Sequence, residues 1–257
     1  MATFNRENIQ SFSAEWIAQQ HQDLKELLDE LSTNSESDNE KLKLLSDKSV
    51  KRFEEYYERR AILAKQDAPL LLSPAWCAPF ENAFFWIGGS RPSLYVRIIY
   101  LVCGSEVDGS QLAELFQNKR KGSLLEISAQ QIDMIDTLHC KTIREEHKMS
   151  ARMASLQEEI ADEPLAVMAQ QVGESSLQDL DRTMDTHYLS LASILTDADQ
   201  LRLSTLKELI GLLTPLQAVE LLFAIKKLYL SMHEWGKREY HQPSKIEYHN
   251  DELRLVC

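Results

Sequence analysis

The stretch LTPLQAVELLFAIKKLYLSMHEWGKRE, Leu213 to Glu239, most restricts what this chain can build. Thr214, Pro215 and Gln217 supply in order an N-cap, a first-turn proline and a capping-box glutamine, so a helix begins there. Beyond it the polar positions Gln217, Glu220, Lys227, Ser231, Glu234 and Arg238 recur at three- and four-residue steps and leave the remaining arc almost wholly apolar. A helix of that kind must be buried on most sides, which requires other helices around it.

The rest of the chain supplies them. With only 8 Gly and 7 Pro in 257 residues, tight connections are few and long helices are favoured over the glycine-rich turns of an α/β enzyme. From Phe4 to Leu31, Ile9, Phe12, Trp16, Leu24, Leu27 and Leu31 keep helical spacing around a polar gap at Gln19 to Gln22. After the loop-forming Ser32 to Glu40, helical spacing returns with Leu42, Leu45, Phe53 and Tyr56 to about Gln66, so the two form a hairpin. Pro69, Pro74 and Pro79 then punctuate the chain, and a buried aromatic helix is expected from Pro79 to the glycine stop at Gly88-Gly89.

Arg91-Pro92-Ser93 opens the next helix, to Cys103-Gly104, followed by a short helix at Gln111 to Gln117 and an exposed loop at Lys119 to Ser123. Ile135, Leu138, Met149, Met153, Leu156 and Ile160 hold near-heptad spacing from Ser128 to Ala161, with a polar break at Thr142 to Glu146. That stripe fits an intramolecular bundle and a homodimer seam equally. An interruption is expected near Pro164 and a turn at Val172 to Ser176. The fold expected is all-α, a multi-helix bundle with long antiparallel helices and no sheet, ending in a loosely held tail from Lys237 to Cys257.

The chemistry of common enzymes is missing from the pattern. WIGGSRPS follows no β-branched strand and matches neither phosphate-loop spacing. Cys77, Cys103, Cys140 and Cys257 lie far apart, which suggests neither a zinc knuckle nor a disulfide framework, and His139, Cys140 and His147 lack closed-site spacing. There is no nucleophile elbow, and the pairs Glu145-Glu146 and Glu158-Glu159 splay around a helix as surface would. A net charge of −12 disfavours unaided nucleic-acid binding. No apolar run reaches a membrane-spanning length, and MATFNRENIQSF lacks the basic-then-apolar pattern of a signal peptide, so nucleus and cytoplasm are the compartments expected. His233 falls on the apolar side of the last helix, one turn after Tyr229, so a nitrogen and an oxygen face one side.

Three segments carry a resemblance: SPAWCAPFENAFFWIGGSRPS, SLQEEIADEP, and ADQLRLSTLKELIGLLTPLQAVELLFAIKKLYLSMHEWG. Together they are similar to the plant seed-dormancy-control family, and to the C-terminal half of TGA-type bZIP transcription factors, over Phe4 to Gly236. The resemblance implies a single all-helical, non-enzymatic domain acting in dormancy, abscisic-acid or related developmental signalling. It implies binding to clade A type 2C protein phosphatases through the first helix, at Phe12, Glu15 and Trp16, or association with bZIP factors. It also implies haem near the last helix, where Tyr229 and His233 occupy the two ligand positions and the first is not histidine; Tyr/His ligation would be a different site. TGA proteins reach DNA through a basic region and zipper preceding this domain, so the domain alone is not expected to grip DNA.

Overall fold

The computed structural model describes residues 2–32, 38–104, 122–161 and 174–241. Among the described residues seven α-helices carry the fold: α1 (Ala2–Ser32), α2 (Asn39–Leu72), α3 (Pro79–Ala83), α4 (Ser93–Gly104), α5 (Ala129–Glu158), α6 (Glu174–Leu212) and α7 (Pro215–His241). Among the described residues there is no strand, only an isolated bridge between Trp86 and Gly89. None of the described helices is long and apolar enough to cross a membrane. The all-α bundle expected from helical periodicity is the fold observed.

Helix starts follow local chemistry. Asp38 caps α2 by accepting from the Glu40 N–H, and Ser128 and Gln131 form the capping box of α5. At α7 the Thr214 N–H donates to Gln217 Oε1 at 3.0 Å and the Gln217 N–H returns to Thr214 Oγ1 at 3.4 Å. These caps also reach across the bundle. Gln131 Nε2 donates to the Leu212 carbonyl and to Gln217 Oε1, both at 2.9 Å, joining the start of α5 to the α6–α7 corner.

Packing puts α7 at the centre, as its nearly all-round apolar surface demands: α1, α2, α3 and α4 all rest on it. The α5 stripe is covered within the chain, chiefly by α6, and buries Ile135, Leu138 and Leu156 while leaving Ile160 exposed. α6 also lies along α2, its most extensive contact.

Several expected boundaries move. α2 runs past Gln66 to Leu72 by breaking at Asp67, whose φ of −159° and ψ of 76° are non-helical; Asp67 Oδ1 then accepts from the Leu70 N–H and restarts the helix around Pro69. The aromatic helix from Pro79 stops at Ala83, well before the glycines. Residues 84–90 instead form a turn in which Trp86 and Gly89 exchange backbone hydrogen bonds, with Ile87 and Gly88 both at positive φ. A side chain at Gly88 is doubly barred, because its Cβ would fall 2.7 Å from an Arg60 nitrogen and from the Leu71 carbonyl. Trp86 is only half-buried there and Phe84 is exposed, so the segment is not the buried helix expected.

α7 continues through Gly236 to His241, into the tail expected to be loosely held. A Cβ at Gly236 would stand 3.0 Å from that of Ala78, so this glycine admits the chain entering α3 rather than ending the helix. The turn expected at Val172 to Ser176 gives way to α6 at Glu174. The expectations for Gln111 to Gln117, for Pro164 and for the tail beyond His241 fall outside the described residues, as does most of the Lys119 to Ser123 loop.

Candidate functional site

Where α1, α2 and α7 meet the 84–90 turn, the core encloses a cavity of about 430 Å³. Aromatic rings form much of its wall. Trp16 stacks on Tyr56 with centroids 4.0 Å apart and meets Phe53 edge-on at 5.2 Å; Phe12 stacks on the same tyrosine at 5.0 Å. Tyr229 and Met232 enter from α7, and Trp76, Phe84 and Phe85 from the segment around α3. Helical spacing explains the meeting, since Phe12 and Trp16 are one turn apart on α1 and face Phe53 and Tyr56, one turn apart on α2.

Buried charges frame these rings. Arg60 of α2 and Arg202 of α6 share Asp199 Oδ1 at 2.6 and 2.5 Å. Their remaining donors tie down the turn: Arg60 reaches the Gly88 carbonyl at 2.5 Å, and Arg202 reaches the carbonyls of Ser90 at 2.7 Å, Ile87 at 2.9 Å and Trp86. Nearby, the fully buried Lys226 ammonium donates to Asp23 Oδ2 at 2.8 Å and Gln20 Oε1 at 2.9 Å, and lies 4.4 Å from the Phe53 ring centre. Asp23 also pairs with Arg52. Burial pushes the Lys226 ammonium down to about 8, with the Asp23 carboxylate opposing the shift. Loss of water around the phenols of Tyr56, Tyr57 and Tyr229 raises all three, so they stay protonated. Burial and the neighbouring Glu81 push the Cys77 thiol up to about 12, which leaves no thiolate at neutral pH.

The residues expected to act at the surface divide. Phe12 and Trp16 are 5% and 9% exposed and belong to the cavity wall, so neither ring is free to meet a partner docking on α1. Glu15, between them in sequence, is exposed and pairs with Arg59 at 3.1 Å. The expected haem pair also separates. Tyr229 lines the cavity, whereas His233 is absent from its wall and its Nδ1 bonds to Glu81 Oε2 at 2.9 Å. With the imidazole buried, bonded to Glu81 and off the cavity wall, the residues present do not fit haem held in this cavity by the pair. Among the described residues, no cluster of three His, Cys, Asp or Glu side chains suits a metal ion.

Polar positions read as solvated surface turn out to hold the interior together. Gln20 lies inside the expected polar gap of α1, and Glu146 in the expected break of α5, yet both are buried. Glu146 accepts from the backbone N–H and hydroxyl of Ser93 at 2.7 and 3.1 Å, serving the start of α4, and Arg91 approaches it at 3.3 Å. A sequence signal was present: in the doublets Arg59-Arg60, Glu145-Glu146 and Lys226-Lys227, successive residues sit about 100° apart on a helix. A doublet that straddles the apolar boundary therefore sends one member inward. Here these are Arg60, Glu146 and Lys226.

At the edge of the cavity, whose wall Phe84 shares, Phe80 contacts Phe84 and Trp235 with centroids 4.9 and 3.9 Å apart. Phe84 is 61% and Trp235 42% exposed, so an aromatic ridge crosses from the end of α3 to α7.

Comparison with known sequences agrees with this architecture. The profile described as "Seed dormancy control" matches residues 23–101. Protein DOG1-like 3 of Arabidopsis thaliana is 34% identical over 233 residues, covering 87% of this chain and 82% of the relative. Protein RESPONSE TO ABA AND SALT 1 of the same plant is 26% identical, covering 70% and 73% of the two chains. Transcription factor TGA2, also from Arabidopsis thaliana, is 27% identical over 84% of this chain and 60% of its own length. Sequence identity extending over most of both chains with the DOG1-like proteins, and more weakly with the TGA factors, makes this chain a member of the seed dormancy control (DOG1) family.

Proposed function

We propose that this chain is a regulatory interaction protein of dormancy and abscisic-acid-related signalling, acting in nucleus and cytoplasm by contact with other proteins, a clade A type 2C protein phosphatase foremost. The observation that carries this reading is its extended identity to DOG1-like regulatory proteins, over most of both chains. The buried chemistry is in keeping with a contact role: Arg60, Asp199, Arg202 and Lys226 bond to one another or to neighbouring groups, and Cys77 is held as a thiol. Two exposed features are available to a phosphatase, the Glu15 and Arg59 pair on the α1–α2 face and the Phe84 and Trp235 ridge. Since Phe12 and Trp16 are packed inside, Glu15 carries what remains of the expected first-helix contact.

The test is a pull-down with a purified clade A phosphatase, comparing the unaltered chain, Glu15→Ala and the double variant Phe84→Ala/Trp235→Ala. Loss of recovery with Glu15→Ala alone supports the α1 face. Loss with the double variant alone moves the contact to the ridge. Failure of the unaltered chain to recover the phosphatase removes that partner. A second reading, association with bZIP factors, draws on the likeness to TGA2 across 84% of this chain. Co-purification of a bZIP protein from plant nuclear extract, with no phosphatase, would favour it.

A further inference from the structure

The cavity is walled for a ligand, and its chemistry narrows which one. At about 430 Å³ it falls in the range of small-molecule sites, and Phe12, Trp16, Tyr56, Trp76, Phe85 and Tyr229 give it mostly flat, apolar faces. An apolar hollow of this kind gains little from water, which needs two to four polar partners to reside there.

An anion would find no welcome. Arg60 and Arg202 are clamped on Asp199 and the carbonyls of the turn, and Lys226 is held by Asp23 and Gln20. All three cations line the cavity but are at most 3% exposed, so a carboxylate entering the hollow would lose its hydration and have to compete with Asp199, Asp23 and the turn carbonyls for donors already taken. The one exposed cation on the wall, Arg91, already faces Glu146 at 3.3 Å. The tyrosines differ. Tyr56 and Tyr229 line the space with hydroxyls that burial keeps neutral, and neither is engaged by another described group. A buried phenol ordinarily finds a hydrogen-bond partner, so the acceptor is left for a ligand to supply.

The geometry points to a binding site for a neutral, ring-bearing, largely hydrocarbon small molecule whose single hydroxyl or carbonyl oxygen hydrogen-bonds to the Tyr229 hydroxyl between α1, α2 and α7. Phe84 belongs both to this cavity and to the ridge proposed above, but the small-molecule titrations need no protein partner, so either reading can fail without the other.

Two matched pairs of probes test it on the full chain: retinol against retinoate, and the shorter β-cyclogeraniol against β-cyclogeranate. Each pair shares a skeleton and differs by alcohol or carboxylate. Thermal shift serves both pairs, and energy transfer from tryptophan to retinol adds a direct signal through Trp16 and Trp76. At least one alcohol is expected to bind saturably, about tenfold or more tighter than its carboxylate. Tyr229→Phe removes the hydroxyl with little change of shape and should weaken that alcohol about five- to tenfold, the size of one hydrogen bond. Ser13→Phe places a ring in the cavity from its half-buried wall position and should abolish binding while helix content, read by circular dichroism, is retained. Equal or tighter binding of the carboxylates overturns the proposal, as does no binding of either alcohol to the folded chain. Unchanged alcohol affinity in both variants would put the probe elsewhere and overturn it equally.

Discussion

Where α4, α5, α6 and α7 come together, Val96, Ile99, Leu206, Leu209, Leu221 and Leu222 interlock with almost no exposed surface. Where α1, α2 and α7 meet the 84–90 turn, the same core is built from rings and paired ions and encloses open space. Branched aliphatic side chains have enough rotamers to fill irregular gaps at crystal-like density. Flat rings held by stacking, and ions held by fixed partners, cannot shift to close one. The aliphatic part is therefore stabilised by completeness of packing, and the aromatic part by a few polar contacts whose loss is severe.

Four measurements would break or sharpen that contrast. The largest effect is expected from Asp199→Ala, which leaves the Arg60 and Arg202 guanidinium groups buried without their carboxylate and should cost about 3–5 kcal/mol in urea unfolding. A loss below that of an aliphatic deletion would show the ionic corner to be dispensable. Next is Leu222→Ala in the filled part, expected to cost about 3 kcal/mol through lost burial and the void left behind.

The third measurement varies pH. The folded chain releases the Lys226 proton near 8, whereas an unfolded lysine keeps it to about 10.4, so in that window the unfolded state binds more protons and stability rises with pH. A gain of about 1 kcal/mol between pH 7 and 9 is expected on that account. Above about 10 the sign reverses, because Tyr56, Tyr57 and Tyr229 stay protonated when folded and ionise when unfolded. A profile flat from pH 7 to 9, or a rise that persists in Lys226→Met, would show that the ammonium is not under strain. The smallest effect is expected from Phe12→Leu, about 1 kcal/mol by thermal unfolding, since the removed ring borders space already empty.

The same contrast governs what is legible in the amino-acid order. Helical spacing found α1, α2, α4, α5 and α7 and the cap at Thr214, because periodicity and capping are local, and it identified the burial of α7 on most sides, but it did not mark α6. It misplaced Gln20, Glu146 and Glu220, each polar by type yet buried through a partner far along the chain: Lys226 for Gln20, Ser93 for Glu146, and the Leu124 N–H for Glu220. It also mistook Gly88 for a helix stop, when it serves a turn packed on Arg60. Of the candidate site, Phe12, Trp16 and Tyr229 were visible on apolar helix faces, but enclosure is a property of several helices at once and left no mark on any one of them.

Asp199 joins positions remote in the chain: Arg60 lies 139 residues earlier, and Arg202 beside it grasps carbonyls some 112 to 116 residues before its own. Bringing such distant pieces together is entropically slow, so local coiling precedes the α2–α6 pairing on which these bonds depend. The shape of the 84–90 corner is therefore dictated by two long rods lying side by side, because both guanidinium groups that grip its carbonyls come from them.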